Sequence, residues 1–399
     1  MLDIWPPFPI IIWVHNPDPR DEDNIAAALE HNDRICQLVI HDVSSSETEK
    51  ASTALQKPFP ELTFLLFASC IRTTRVVPGS FLGGSAPALQ TLDLDHIPFP
   101  GILNLLRSAT HLVNLHLLKI PHSGYFSPEA MVTALSVLTR LESLGSGFES
   151  PRSRPDRKTR EPLPTHTLLP ILTRLRFNGV SEYLEELVAR IDAPVLDNLT
   201  ITFLHQLIFD SPHLSHFINR IPKFKANDEA RVVFSSLDVT VTLPQTFDRA
   251  LELRISCSQL DWQLSSVAQA CSSSLPQALT PTIEHLYIQS KSRRLQDNIE
   301  NSQWLELFQP FTTVKDLYVS LEFTTNITTA LQEIVGDSVT EVLPALQAVF
   351  LEEPYPSGPV TGTEAIWQFV AVRQLAGHPI AVFRWEKEKE EVHYEIDDD

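Results

Sequence analysis

The sequence predicts an α/β solenoid: short parallel strands stacked on one side of an arc, with helices returning along the other. Three observations predict it. An apolar frame recurs along the chain, proline stands in register with that frame, and glycine is scarce, at 12 residues in 399. Hydrophobic residues make up 43% of the chain, enough to form a substantial core.

The frame is apolar, two residues, apolar, one residue, apolar. Its copies are Ile35/Leu38/Ile40, Leu62/Leu65/Phe67, Leu89/Leu92/Leu94, Leu112/Leu115/Leu117, Leu172/Leu175/Phe177, Leu196/Leu199/Ile201, Ile283/Leu286/Ile288, Val314/Leu317/Val319 and Leu346/Val349/Leu351. Several add an apolar residue three positions on: Val43, Cys70, Ile97, Ile120, Val180 and Leu204. This is the leucine-rich-repeat frame. The second and third apolar residues flank one polar position, so they share a face of a short strand. The first anchors the entry loop, and the last turns the chain back into the core. Copies starting at 35, 62, 89 and 112 are spaced 27, 27 and 23 residues apart, a period typical of this repeat class. Those at 283, 314 and 346 are spaced 31 and 32, which requires longer helical sides. The fold expected is therefore a leucine-rich-repeat solenoid, a curved horseshoe with parallel strands on its concave face and helices on its convex face.

Proline stands two residues before the first anchor at Pro60, Pro87, Pro170, Pro194, Pro281 and Pro344. It lacks a backbone donor and disfavours helix in the residue before it, so it is expected to close each returning helix and launch the next strand. Between strands, Ser127-Pro128-Glu129 reads as an N-cap, a first-turn proline and a first-turn acid. Met131, Leu135 and Leu138 then share a face. Ser181 is expected to cap a helix carrying Leu184, Leu187, Val188 and Ile191. Leu264, Val267, Ala268 and Cys271 repeat that spacing, which places Cys271 in the core. Thr363 is expected to cap a last helix with Ile366, Phe369 and Val370, stopped by Gly377 and Pro379.

Two stretches depart from the frame. Residues 150–164 hold five bases and two acids among prolines and serines and read as an exposed insertion. Residues 205–260 carry strands at Val232–Val241 and Leu251–Ser256 with a weaker frame. The domain expectation is one solenoid over 1–385, followed by an acidic, disordered tail over 386–399. That tail has eight acids against two lysines.

Acids outnumber bases 50 to 31 along the whole chain, a net charge of −19. This opposes binding to a phosphate backbone, so no nucleic-acid partner is expected. No apolar run reaches the roughly 18 residues of a membrane span, and no membrane partner is expected. Residues 1–14 lack the basic segment and small-residue cleavage site of a secretory signal. The four cysteines form no CxxC pair. An intracellular protein, cytoplasmic or nuclear, is the expectation.

GxSxG, HExxH, P-loop and GxGxxG motifs are absent. His213/His216 and His111/His116 lack a carboxylate or cysteine at ligand spacing. No catalytic, metal or cofactor residues are expected, and the function class expected is recognition rather than catalysis. Aligning the copies puts one outward side chain per repeat in a central column: Val39, Leu66, Asp93, His116, Arg176, Thr200, Tyr287, Tyr318 and Phe350. Aromatic residues and arginine bury large areas in contacts at small entropic cost. Arg176, Tyr287, Tyr318 and Phe350 are therefore the candidate partner-binding residues.

The chain resembles the fungal F-box/leucine-rich-repeat-like proteins. The resemblance is carried by FPELTFLLF (Phe59–Phe67), LPILTRLRFNGVSEYLEELVARIDAPVLDNLTITF (Leu169–Phe203), FTTVKDLYV (Phe311–Val319), VTEVLPALQAVFLEE (Val339–Glu353) and GHPIAVFRW (Gly377–Trp385). It covers roughly residues 10–385. It implies a protein-interaction module similar to the substrate-recognition part of a ubiquitin-ligase receptor. The family's F-box opens with a Leu-Pro pair and is not found in the first 35 residues. Docking to an SCF-type ligase adaptor is thus implied only if an F-box is supplied upstream. The alternative is a repeat-only scaffold unconnected with ubiquitination.

Overall fold

The computed structural model describes residues 8–15, 22–41, 53–69, 76–155, 166–204, 209, 211–225, 227–246, 249–257, 259–273, 275, 282–291, 300–334, 341–352 and 363–385. The chain divides into two compact units. Unit 1 holds residues 1–226, 244–256 and 272–276, and unit 2 holds 227–243, 257–271 and 277–399.

In chain order, unit 1 begins with β1 (Ile10–His15), α1 (Glu22–Leu29), β2 (Ile35–His41), β3 (Phe64–Ala68), β4 (Thr91–Asp95), α2 (Ile102–Leu106), β5 (Asn114–Ile120), α3 (Pro128–Leu135) and β6 (Ser143–Phe148). It continues with β7 (Thr167–Leu168), β8 (Arg174–Gly179), α4 (Ser181–Val188), β9 (Ile191–Asp192), β10 (Asn198–Leu204) and α5 (Pro212–Asn219). Unit 2 then takes β11 (Glu229–Phe234) and most of β12 (Asp238–Thr246), and β13 (Arg249–Ser256) belongs to unit 1. All but the end of α6 (Leu260–Ser273) lies in unit 2. So do β14 (His285–Ser290), α7 (Asn301–Phe308), β15 (Asp316–Val319), α8 (Leu321–Gln332), β16 (Ala348–Glu352), α9 (Thr363–Leu375) and β17 (Ala381–Trp385).

The sheet of unit 1 runs β1-β2-β3-β4-β5-β6-β8-β10-β13, every pair parallel. That of unit 2 runs β12-β11-β14-β15-β16-β17 and is parallel except at β11–β12. Strand follows helix and returns to a parallel neighbour, as a leucine-rich-repeat fold requires. The frame leucines form rows beneath each sheet. Leu38, Leu65, Leu92, Leu115 and Leu199 are fully buried, as are Leu286 and Leu317 in unit 2.

The proline rule has a more local cause than helix closure. The residue before each proline accepts a hydrogen bond from the first anchor two residues after it: Leu62 N to Phe59 O, Leu89 N to Ala86 O, Leu172 N to Leu169 O, Leu196 N to Ala193 O and Leu346 N to Leu343 O. Proline therefore occupies the second position of a tight turn, where its fixed φ is already correct. The same turn forms without proline before Leu112 and Leu141. Pro281, Val43, Cys70 and the tail 386–399 lie outside the described residues.

Past each turn, one carbonyl serves two donors of the next repeat. Thr63 O accepts from the N–H groups of Gln90 and Thr91, and Gln90 O from Val113 and Asn114. Val113 O, Glu142 O and Thr173 O continue the series in unit 1, and Glu284 O and Lys315 O repeat it in unit 2.

Several helical expectations hold. The Ser127 hydroxyl accepts from Ala130 N at 3.3 Å at the start of α3. Cys271 is buried in α6, and burial pushes its thiol up to about 12. Gly377 takes φ 84°, with its N–H on Gln374 O and that of His378 on Arg373 O, the paired bonds of a glycine-terminated helix. Ser181, by contrast, is not a cap. It is the first residue of α4, Val180 precedes it, and no side chain caps the helix. Thr363 likewise opens α9. Leu204 is only half-buried, because Phe203 takes the inward position in β10.

The stretch 205–260 is where the parallel expectation fails. What reads as one strand over Val232–Val241 is a hairpin, β11 antiparallel to β12. The Ser235 hydroxyl forms its turn, accepting from Leu237 N at 3.2 Å and Asp238 N at 3.0 Å. Gln263 of α6, buried, donates from its amide to Ser235 O at 3.1 Å and Cys257 O. A helix side chain thus satisfies backbone groups that a regular repeat would pair with another strand. A copy of the frame also escaped the pattern. Leu141 and Leu144 anchor β6, but its third position is Ser146, a buried polar residue in an apolar row. The described start of the 150–164 insertion is only partly exposed. Ser153 is buried, and Arg154 pairs with Glu182 at 3.5 Å.

The register makes a direct prediction. Leu175→Ala and Leu199→Ala should each lower unfolding free energy by roughly 2–5 kcal/mol, the range for buried leucines, measured by urea denaturation. A loss below about 0.5 kcal/mol at both, as at exposed positions, would contradict the rows.

Candidate functional site

Because side chains alternate along a strand, burying Leu286 and Ile288 forces Tyr287 onto the opposite, helix-distal face. The same holds for Tyr318 between Leu317 and Val319, and for Phe350 between Val349 and Leu351. The ladder then sets these positions side by side. Arg231 pairs in register with Tyr287, Tyr287 with Tyr318, Tyr318 with Phe350, and Phe350 with Phe383.

The outcome in unit 2 is a continuous row of stacked rings. Tyr287 and Tyr318 stack at 4.2 Å between centroids and 10° between planes, and Tyr318 and Phe350 at 4.4 Å and 10°. Phe383 follows Phe350 at 5.1 Å. Trp385 reaches back from β17 and stands edge-on to Tyr318 and Tyr287, its indole N–H donating to Val319 O at 3.4 Å. At the β11 end the Arg231 guanidinium lies 5.3 Å from the Tyr287 centroid and donates to Glu229, a cation on the electron-rich ring face. One step along the strands, Asp316 pairs with His285 at 2.9 Å.

Three of the four sequence candidates, Tyr287, Tyr318 and Phe350, are therefore brought together. Sequence reasoning missed Arg231, Phe383 and Trp385, because β11 and β17 lack the full frame. The quoted segment ending in AVFRW held the signal for the last two.

Arg176, the fourth candidate, lies in unit 1 and is exposed on β8. Its row, in register, is Trp13, Val39, Leu66, Asp93, His116, Gly145, Arg176, Thr200 and Glu252. The first six residues of the column read from the sequence, Val39 to Thr200, fall in this row, which also holds Trp13, Gly145 and Glu252; the last three, Tyr287, Tyr318 and Phe350, form the row of unit 2. It is apolar at β1–β3, where Trp13 is 76% exposed, and polar from β4 onward. There His116 joins Asp93 (Nδ1 to Oδ2, 3.3 Å) and Ser143 (Nε2 to Oγ, 3.0 Å). Gly145 makes this possible: a Cβ there would lie 3.1 Å from His116 Cδ2. Ser143 is buried, and its backbone N–H is bonded to Val113 O. The three side chains tie successive strands together across the face.

The histidine pair His213/His216 is exposed on α5 and gathers no further ligand, and His111 contacts Arg140 at 3.4 Å. Among the described residues no group of three or more His, Cys, Asp or Glu side chains is placed to hold a metal. Among the same residues no helix is long and apolar enough to cross a membrane.

Electrostatics mark the tyrosine row. Burial pushes the Tyr287 phenol well above the ordinary tyrosine range, helped by Glu229 and by a hydrogen bond shared with Tyr318, while Arg231 opposes the shift. Tyr318 is raised as well, mainly by burial. A phenol whose pKa is raised on folding contributes stability that is intact below the unfolded value of about 10 and is lost as pH rises through the folded one. Tyr125, pushed up to about 12 by burial, acts in the same direction. Tyr287→Phe should therefore remove part of the alkaline fall in the urea midpoint, leaving a shallower alkaline slope than that of the parent protein. An alkaline slope identical to that of the parent protein would contradict the burial of this phenol.

No protein-family model and no curated protein matches the chain. Among solved structures it is similar to the leucine-rich repeat-containing protein LegL7 from Legionella pneumophila, at 13% identity over 86% of this chain and 89% of that one, with a TM-score of 0.29. Nothing about function follows from a likeness at that level.

Proposed function

We propose that the chain is a protein-interaction module that works by binding rather than by catalysis, using the helix-distal face of its sheets. The observation that carries this reading is the aromatic row of Tyr287, Tyr318 and Phe350, extended by Phe383 and flanked by Trp385. A sheet face open to water is ordinarily polar. Here five successive strands place Arg231, two tyrosines and two phenylalanines in one line. Large rings held by their neighbours lose little entropy on contact, which is what recurrent hot spots share. Arg176 and the exposed Trp13 are the corresponding contacts of unit 1. In its finer form the proposal makes the partner a substrate protein presented to a ubiquitin ligase. That form rests on the sequence resemblance of segments such as Leu169–Phe203 and needs an F-box supplied upstream.

Crosslinking in the native cell extract, followed by mapping of the crosslinked peptides, tests the reading. A partner is expected to crosslink near β14–β16, and the Tyr287→Ala/Tyr318→Ala double variant should reduce its capture at least tenfold. Capture unchanged by the double variant would overturn the proposed face. Ligase adaptor or cullin subunits among the partners would favour the finer form.

A further inference from the structure

Arg174 and Arg176 are two like charges that nothing among the described residues neutralises. Both point from β8 to the helix-distal face, because Leu175 between them is buried, and both are exposed. Among the described residues neither guanidinium takes part in an ion pair, a hydrogen bond or a ring contact, in a chain whose net charge is −19. The acids of the same row are engaged elsewhere. Asp93, on β4, pairs with His116 at 3.3 Å, and Glu252, on β13, pairs with Arg254 at 3.3 Å. In register, Arg174 stands between Ser143 and Asn198, and Arg176 between Gly145 and Thr200. These four neighbours are short and buried or half-buried, so both arginines rise above them into water.

We infer that this pair is a carboxylate-binding site, and that the partner segment it takes is an extended acidic peptide with acids at alternate positions. The inference rests on the reading that unit 1 binds through this face, and it names what is recognised there. Alternate residues of a strand lie roughly 6.6 Å apart on one face. Arg174 and Arg176 therefore set two guanidinium groups at the interval at which an extended peptide sets side chains i and i+2. An acid-x-acid segment lying along β8 meets both at once, and its middle residue faces away. Each guanidinium is a planar fork that takes a carboxylate through two parallel hydrogen bonds.

Charge is what favours an acidic segment over other occupants. An apolar or basic segment would leave two guanidinium groups unpaired beneath it, at a desolvation cost. A single-stranded nucleic acid also offers anions in a line, but a long polyanion meets the whole chain's excess of acids. A segment with two charges meets that opposition only locally. Because β8 is paired on both sides, to β6 and to β10, the peptide is held by side chains rather than by joining the ladder.

Fluorescence anisotropy on the full chain tests the inference, with a labelled nine-residue peptide carrying Glu-Thr-Glu at its centre. Saturable binding is expected, weakening as salt is raised. The Arg174→Gln/Arg176→Gln double variant should weaken it at least tenfold. So should reordering the peptide centre to Glu-Glu-Thr, which keeps the charge but turns one acid away. The Arg174→Glu/Arg176→Glu variant should reject the acidic peptide and take up one with Lys-Thr-Lys, a gain that a misfolded chain would not show. Absence of saturable binding would overturn the proposal, as would equal affinity for the two peptide orders or affinity unchanged in the double glutamine variant. Tighter binding of a single-stranded oligothymidylate through the same arginines would overturn it too. The Tyr287→Ala/Tyr318→Ala variant should bind the peptide as the parent protein does, so failure here and failure of the aromatic row are read separately.

Discussion

The structure depends on a backbone constraint, the single carbonyl after each turn that accepts two N–H groups from the next repeat. Thr63, Gln90, Val113, Glu142 and Thr173 hold this place in unit 1, and Glu284 and Lys315 in unit 2. Neither bond involves a side chain, so any residue with a backbone N–H can stand at the donor positions. What the bonds fix is phase. With phase fixed, each first anchor enters the core, and each residue between the second and third anchors faces away from it. A one-residue slip would exchange the two faces along the whole strand.

Phase explains why buried and exposed rows are both so regular. Tyr287, Tyr318, Phe350 and Phe383 were not gathered by a pocket or a loop. They are neighbours because the ladder puts equivalent positions about one strand spacing apart, close to the stacking distance of aromatic rings. The same geometry joins Asp93, His116 and Ser143 across three strands of unit 1. A repeat ladder turns residues one repeat length apart in sequence into adjacent side chains. Function can then be written into one position per repeat, with the other positions left to packing.

Where each repeat keeps the frame, the sequence was a sufficient guide. The strands at Ile35, Leu62, Leu89, Leu112, Leu172, Leu196, Ile283, Val314 and Leu346 stand where the apolar spacing places them, and so does the outward column between anchors. The misreadings have physical causes. Ser146 replaces an apolar anchor in β6 and is buried there, so the apolar pattern breaks at that copy. The β11–β12 turn is made by a serine side chain rather than by glycine or Asn-Gly, so a hairpin reads as one strand. Arg231 and Phe383 went unread because β11 and β17 join the sheet without completing the frame, and tertiary pairing placed them in the row. Of the candidate residues, the aromatic three were legible as a group, whereas Arg176 belongs to a different row and a different unit.

The phase of the ladder decides which face each side chain takes. Single cysteines introduced at Leu317, Tyr318 and Val319, and labelled in the folded protein with a thiol reagent while mass spectrometry reports the modified site, measure that phase directly. The phase described predicts rapid labelling at position 318 and protection at 317 and 319 until the protein unfolds. Equal rates at the three positions, or labelling at 317 and 319 with protection at 318, would contradict it.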